Sequence, residues 1–411
     1  MTTIDNGIVS LTFSSDYVVE ENITAESINL IDGIATGNNT NNLFTKTQQN
    51  HNDIMKRMVD DDNVNHPEPY SEMYMRSYIK YADHFKNSKI VPEDILSVRS
   101  KKYTVLPINY RNVWNNYKEQ LAIHWVVEEV DLSKDVYDWI HKLSADDRFF
   151  LMHVLAFFSA ADGLVNANIK TNCIDVVTIK EAECAYGCQF NMENIHGEMY
   201  SLMIETFVKD EDVKRGLIDS IRRMPAIKRK ADWCKKWIDS DTTYAHKLVA
   251  FAFVEGVFFS GSFCSIFWLK TRSGGIMPGL RKSNKFIARD ENKHFELACI
   301  LNGLLKNRLR EEIVHEMLEE AIAIEIDFII ESLPCKLLGM NSDSMIEYIK
   351  YVADRSLVQL GYTKKYNAEN PFEFMKKIDT YVKGNFFEDR EDSYSNSKIG
   401  NVREFEILTE F

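Results

Sequence analysis

Proline spacing constrains this chain more than any other feature. The eight prolines stand at 67, 69, 92, 107, 225, 278, 334 and 371, so the chain runs from 108 to 224 and from 226 to 277 without one. Proline breaks a helix interior, and its absence leaves room for elements many turns long. Within these stretches apolar residues recur three and four positions apart, as in Phe150, Val154, Phe157, Phe158 and Leu164. That is the period of a helix with one buried face. No segment of any length alternates as a half-buried strand does. Glycine is scarce as well, 17 residues in 411, against the usual roughly 7%. The pattern predicts helices near 110–126, 133–143, 146–171, 180–208, 212–222, 242–271, 283–306, 308–332 and 343–360, hence an all-α bundle.

The two ends depart from this pattern. Residues 1 to about 68 are polar, the stretch 37–53 has no period, and the chain turns polar again from Asn385. The expected organisation is a largely flexible N-terminal extension over 1–95, a helical domain over 96–384 and a mobile tail over 385–411. Hydrophobic residues at 45% supply an ample core, which excludes global disorder. With 49 basic and 62 acidic residues the net charge is −13, and a nucleic-acid binder would need a basic face. The seven cysteines are scattered and form no CxxC pair, as expected of free thiols in a reducing cytoplasm. No basic stretch precedes an apolar core at the N-terminus, so no secretory signal is expected, nor is a lipidation motif present.

The informative residues are carboxylates in apolar helices. Asp162 ends the run HVLAFFSAAD, and Glu255 interrupts LVAFAFVEGVFFSGSFCSIFWL. A buried carboxylate without a partner costs several kcal/mol or takes up a proton. Such acids need a compensating cation. Residues 248–269, with one charge in 22 positions, also have the length of a membrane span. A mid-span Glu is expensive there, no second span is expected, and a buried core helix is the commoner explanation.

Two further helices carry Glu-x-x-His, as Glu193/His196 and Glu291/His294. At about 100° per residue, side chains three apart reach one ion. Tyr200 falls on the same face as Glu193, seven residues on. The motif alone is weak, because Glu312/His315 repeats it amid charged neighbours in REEIVHEMLEE, where a solvated helix face explains it. What distinguishes the others is the set. One lone acid on each of two helices, with Glu-x-x-His on each of two more, is the pattern of the carboxylate-bridged dimetal bundle. Four carboxylates neutralise two divalent ions, and mixed oxygen and nitrogen donors suit Fe or Mn.

These residues, with the strings EEVDLSKD (128–135), MENIHGEMYSL (192–202), VEGVFFSGSF (254–263) and ARDENKHFE (288–296), carry a family resemblance. The chain resembles the small, radical-generating subunit of class I ribonucleotide reductase, of the eukaryotic and large-DNA-virus type. The likeness spans about 96–411. The interval 193 − 162 = 31 matches the family pattern, while 291 − 255 = 36 is slightly longer, with the loop TRSGG (271–275) taking up the difference.

The resemblance implies a ferritin-like bundle with two Fe ions per chain, Mn being possible, and O2 for activation. It makes Asp162, Glu193 and His196 ligands of one ion and Glu255, Glu291 and His294 ligands of the other. It makes Tyr200 the radical tyrosine, and Phe259, Phe263 and Ile287 its apolar pocket, although their spacing fits ordinary core residues equally well. It assigns Trp125, Asp290 and Tyr394 to radical transfer, with Asp290 able to accept the second N–H of His196. It implies a homodimer in the cytoplasm. It also implies docking on a large catalytic subunit through the tail, where Phe405, Leu408 and Phe411 stand among acids. No phosphate-cradling glycine loop appears in the chain, so the substrate chemistry is expected on the partner. Two alternatives stand beside this reading: a dimetal oxygenase or desaturase, which would not need Tyr200, and an iron-storage or binding bundle.

Overall fold

The computed structural model describes residues 72–86, 90–271, 275–332 and 342–375. In chain order the helices are α1 (Glu72–Lys80), α2 (Arg111–Ala122), α3 (Ser133–His141), α4 (Ala145–Asn168), α5 (Lys180–Phe207), α6 (Glu211–Ile218) and α7 (Ser220–Arg223). They continue with α8 (Pro225–Ile238), α9 (Tyr244–Phe253), α10 (Ser260–Trp268), α11 (Pro278–Leu304), α12 (Glu311–Ser332) and α13 (Ser342–Gln359). Among the described residues the only β pairing is an isolated bridge between Phe85 and Leu309. The fold is all-α.

Helix α4 starts where its sequence predicts: Ser144 Oγ accepts the N–H of Asp147, and the Asp147 carboxylate accepts the N–H of Ser144. This reciprocal cap satisfies two donors that would otherwise be orphaned. Helix α4 lies along α5, which also packs against α2 and α11, while α9 packs on α11. The start of α11 is clamped by α3. Asp135 accepts the N–H groups of Gly279 and Leu280 at 2.9 and 2.6 Å, and Asp138 accepts that of Met277 at 2.8 Å. A Cβ at Gly279 would stand 2.5 Å from the Asp131 carbonyl, so only glycine allows this approach. The clamp sets the position of the helix that carries Glu291 and His294.

Four expectations change. The run expected as one helix over 242–271 is broken by a π-helical turn, Val254–Phe258, that carries Glu255. The extra residue of such a turn re-aims a side chain, and a stretch apolar on all sides gives no periodicity in which to see it. Helix α8 was not expected; Pro225 opens it at the first helical position, where the missing N–H costs nothing. The helix expected over 212–222 is two, α6 and α7, meeting at Asp219. Tyr78, Phe85, Ile90 and Ile95, which precede residue 96, are all buried. Two helical stretches, not one, have the length and hydropathy of a span, Ala145–Ile174 and Tyr244–Trp268; in the second, 89% of the most apolar window is buried within the protein, as a core helix would be.

Candidate metal centre

Four helical segments bring the six candidate groups together. Asp162 lies on α4, Glu193 and His196 on α5, Glu255 in the π-helical turn, and Glu291 and His294 on α11. None is more than 6% exposed. One ligand atom each from Glu193, Glu255, Glu291 and His294 lies within 4.8 Å of the others, and the same holds for Asp162, Glu193 and His196. Glu193 belongs to both groups and is placed to bridge them.

The imidazoles point inward through Nδ1. That atom of His196 is 3.4 Å from Glu193 and 3.1 Å from Glu291, and that of His294 is 2.9 Å from Glu193 and 3.2 Å from Glu291. Burial, and then the neighbouring acids, push the Asp162 and Glu255 carboxyls well above the usual range. Burial disfavours the charged imidazoles, yet their acidic neighbours outweigh it, raising His196 strongly and His294 to about 9. Burial would raise Glu291 too, but its close contacts with the His196, His294 and Glu255 side chains pull it below its ordinary value. Burial and the crowding of acids around two imidazoles together produce these shifts.

The donor set fits a pair of divalent ions on an observation internal to the site. Asp162 Oδ2, both Glu193 carboxylate oxygens, Glu255 Oε2 and His196 Nδ1 are buried on the side facing the cluster and make no well-aligned hydrogen bond. Buried polar atoms are almost always paired, and five exceptions within one cluster of oxygens and nitrogens have the chemistry of an Fe or Mn site.

Tyr200 is buried, and burial followed by the Asp162 charge holds its phenol well above 10. The Phe158 ring lies 4.8 Å from it, with Phe263 and Phe259 5.1 and 5.6 Å from Phe158. Ile287 is also buried. On the other side, Trp125 Nε1–H donates to Asp290 Oδ2 at 2.7 Å, and the same oxygen stands 3.1 Å from His196 Nε2. Giving that N–H to Asp290 leaves Nδ1 free as a donor, the arrangement expected behind a ligating histidine.

Two residues at the site were not expected. Gln189 donates to Glu255 Oε1 at 3.0 Å; its only signal is its place four residues before Glu193, one turn along the same face. Phe158, four before Asp162, is the ring nearest Tyr200 in this stack. The Glu312/His315 repeat joins neither group: Glu312 is exposed, and His315 Nε2 lies 3.2 Å from the Thr363 carbonyl. Tyr394, Phe405, Leu408 and Phe411 lie outside the described residues.

A helical bundle that turns four carboxylates and two imidazoles into one dry site is of the ferritin-like, dimetal-binding class. A family model described as ribonucleotide reductase, small chain, matches residues 102–371. The chain is 65% identical over 341 residues to the ribonucleoside-diphosphate reductase small chain of Acanthamoeba polyphaga mimivirus, covering 83% of this chain and 82% of that one. It is 48% identical over 307 residues to the small subunit of Dictyostelium discoideum, covering 75% and 90%. The solved structure of the ribonucleotide reductase Rnr4 homodimer from Saccharomyces cerevisiae superposes with a TM-score of 0.64 at 32% identity, covering 80% of this chain and 99% of that one. The chain belongs to the ribonucleotide reductase small-chain family. Its function is that of the small chain of ribonucleoside-diphosphate reductase, an oxidoreductase, and the oxygenase and storage alternatives are set aside.

Proposed function

We propose that this chain is the radical-generating partner in ribonucleotide reduction. It would hold two iron ions, one on Asp162, Glu193 and His196 and the other on Glu255, Glu291 and His294, and lend a Tyr200 radical to a large subunit that reduces ribonucleoside diphosphates. The observation that carries this reading is the convergence of five buried donor atoms without well-aligned hydrogen bonds on one site. A bound iron pair, with O2, supplies the one-electron oxidant. Tyr200 would enter the step as a neutral phenol, because its buried setting disfavours the phenolate, and that oxidant would take up both an electron from the ring and the proton of Oη. Phe158, Phe259, Phe263 and Ile287 exclude water and reductants from that ring. Asp290 holds His196 and Trp125 on a single carboxylate oxygen, a hydrogen-bonded line along which the oxidising equivalent leaves the site, with Tyr394 as the next relay.

The tail would dock through Phe405, Leu408 and Phe411, with Glu404, Glu406 and Glu410 steering toward a basic rim on the partner. Removing residues 403–411 should then abolish turnover and spare the radical. A homodimer is supported by the homodimeric yeast neighbour. Its site of action would be the cytoplasm. The decisive experiment adds Fe(II) and air to chelator-stripped protein and records electron paramagnetic resonance. A tyrosyl signal is expected, lost in Tyr200→Phe while iron loading and oxygen uptake persist. A wild-type protein that takes up iron and oxygen without any radical signal would sink the reading.

A further inference from the structure

Lys230 on α8 and Glu325 on α12 form an ion pair in the core, neither more than 1% exposed. The ammonium also donates to the Phe258 carbonyl at 2.8 Å. It lies over the rings of Phe157 and Phe328, 3.7 and 3.9 Å from their centres. Stability explains such a pair poorly. Taking two charges out of water costs much of what their attraction returns, and apolar residues of similar volume are often as stable. The strain is visible here: burial pushes Lys230 down to about 8 and Glu325 up to about 7 despite each other's charge.

What the pair touches is more telling. Phe258 is the last residue of the π-helical turn Val254–Phe258 that carries Glu255. The helix backbone runs so close to Glu325 at the next turn that a Cβ on Gly261 would stand 2.7 Å from Oε1. A π-helical turn shifts the hydrogen-bond ladder by one residue and is stable only where its surroundings over-determine it. Here one charge grips the turn's exit carbonyl while the other abuts the helix that follows.

We propose that the Lys230–Glu325 pair is a positioning device for Glu255. It fixes the π-helical turn and thereby sets where the Glu255 carboxylate stands toward the ion held with Glu193, Glu291 and His294. This rests on the metal-centre reading given above. Neither residue is catalytic; both act through Glu255.

The test titrates chelator-stripped protein with Co(II), read by d–d absorption, in wild type and in the double variant Lys230→Met/Glu325→Leu, which removes both charges at similar volume. The wild type should bind two ions. The double variant should stay folded by circular dichroism and keep the affinity of the Asp162–Glu193–His196 side. Its second ion should bind at least tenfold more weakly, with a shifted band. Glu325→Gln, which keeps the shape, should move the same band the same way, and this single variant decides the matter if the double one does not fold. Unchanged affinities and spectra in the folded variant would overturn the positioning role alone. A wild type that binds no pair of Co(II) ions would bring down the metal-centre reading and this inference with it.

Discussion

Helices α11 and α12 follow one another along the chain, and each carries Glu-x-x-His with the same spacing. On α11, Glu291 and His294 are buried against α5, where Glu193 and His196 face them. On α12, Glu312 stands in solvent and His315 sits beside the Thr363 carbonyl, 3.9 Å from the Glu311 carboxylate. Water solvates the second acid at almost no cost. The first is one of four carboxylates in a space where an unpaired charge costs several kcal/mol. Spacing lets two side chains reach one ion, but crowding out of water is what makes binding an ion favourable. The motif acquires its chemistry from the helix opposite.

The two motifs should part most visibly in metal content. Glu291→Ala should bring bound metal below two per chain by elemental analysis. The remaining ion on that side should bind more than about 100-fold more weakly, beyond what loss of a supporting hydrogen bond alone costs. Glu312→Ala, with identical local spacing, should leave the stoichiometry unchanged. Equal losses in both variants would show that spacing, not burial, selects the site.

The same contrast shows what could be read before any fold was known. Asp162 and Glu255 stood out because each was an acid in an apolar run, and the two Glu-x-x-His motifs stood out once paired with them. The main helices were legible from their periods. The π-helical turn was not, because Phe253, Val257, Phe258 and Phe259 are apolar whichever ladder the backbone follows. Gln189 was not legible either, since a glutamine is ordinary on any helix until the fold brings Glu255 to it across the bundle. Lys230 sits in the basic run KRK and reads as solvated charge, yet it is among the most buried side chains described. Local patterns report which face of a helix is apolar, and only packing reports which polar group lies opposite.

A smaller effect separates the motifs by pH. His294 is held at about 9 by the acids around it, which outweigh its burial, so at pH 7 an incoming ion must displace its proton. Binding should therefore release at least one proton, and the apparent affinity of stripped protein for Co(II) should fall about tenfold for each unit of pH lowered from 8 to 7. The shifts on His196, Asp162 and Glu255 run in the same direction and can only steepen the slope. Proton release is read directly by titration in weak buffer. An affinity independent of pH over this interval would mean that His294 is not a ligand.

The smallest effect is on the stability of the stripped protein, and here the buried acid cluster and the solvent-facing motif of α12 should differ in sign. Glu255 is pushed well above the carboxylate range by burial and then by the charges of Glu291 and Glu193, so holding an acid there works against the fold. Glu255→Gln keeps the shape and a carbonyl oxygen for the Gln189 donor while removing the ionisable group. It should raise stability by about 1 kcal/mol, in line with binding sites that trade stability for function. His315→Ala on α12 removes a surface contact to the Thr363 carbonyl and relieves no crowding, so it should lower stability by about 0.5 kcal/mol. Thermal unfolding in the presence of chelator measures both, with shifts of roughly 1–2 °C in a chain of this size. A loss in both variants would mean that the four acids are accommodated without cost, and the physical argument for a metal at their centre would weaken with it.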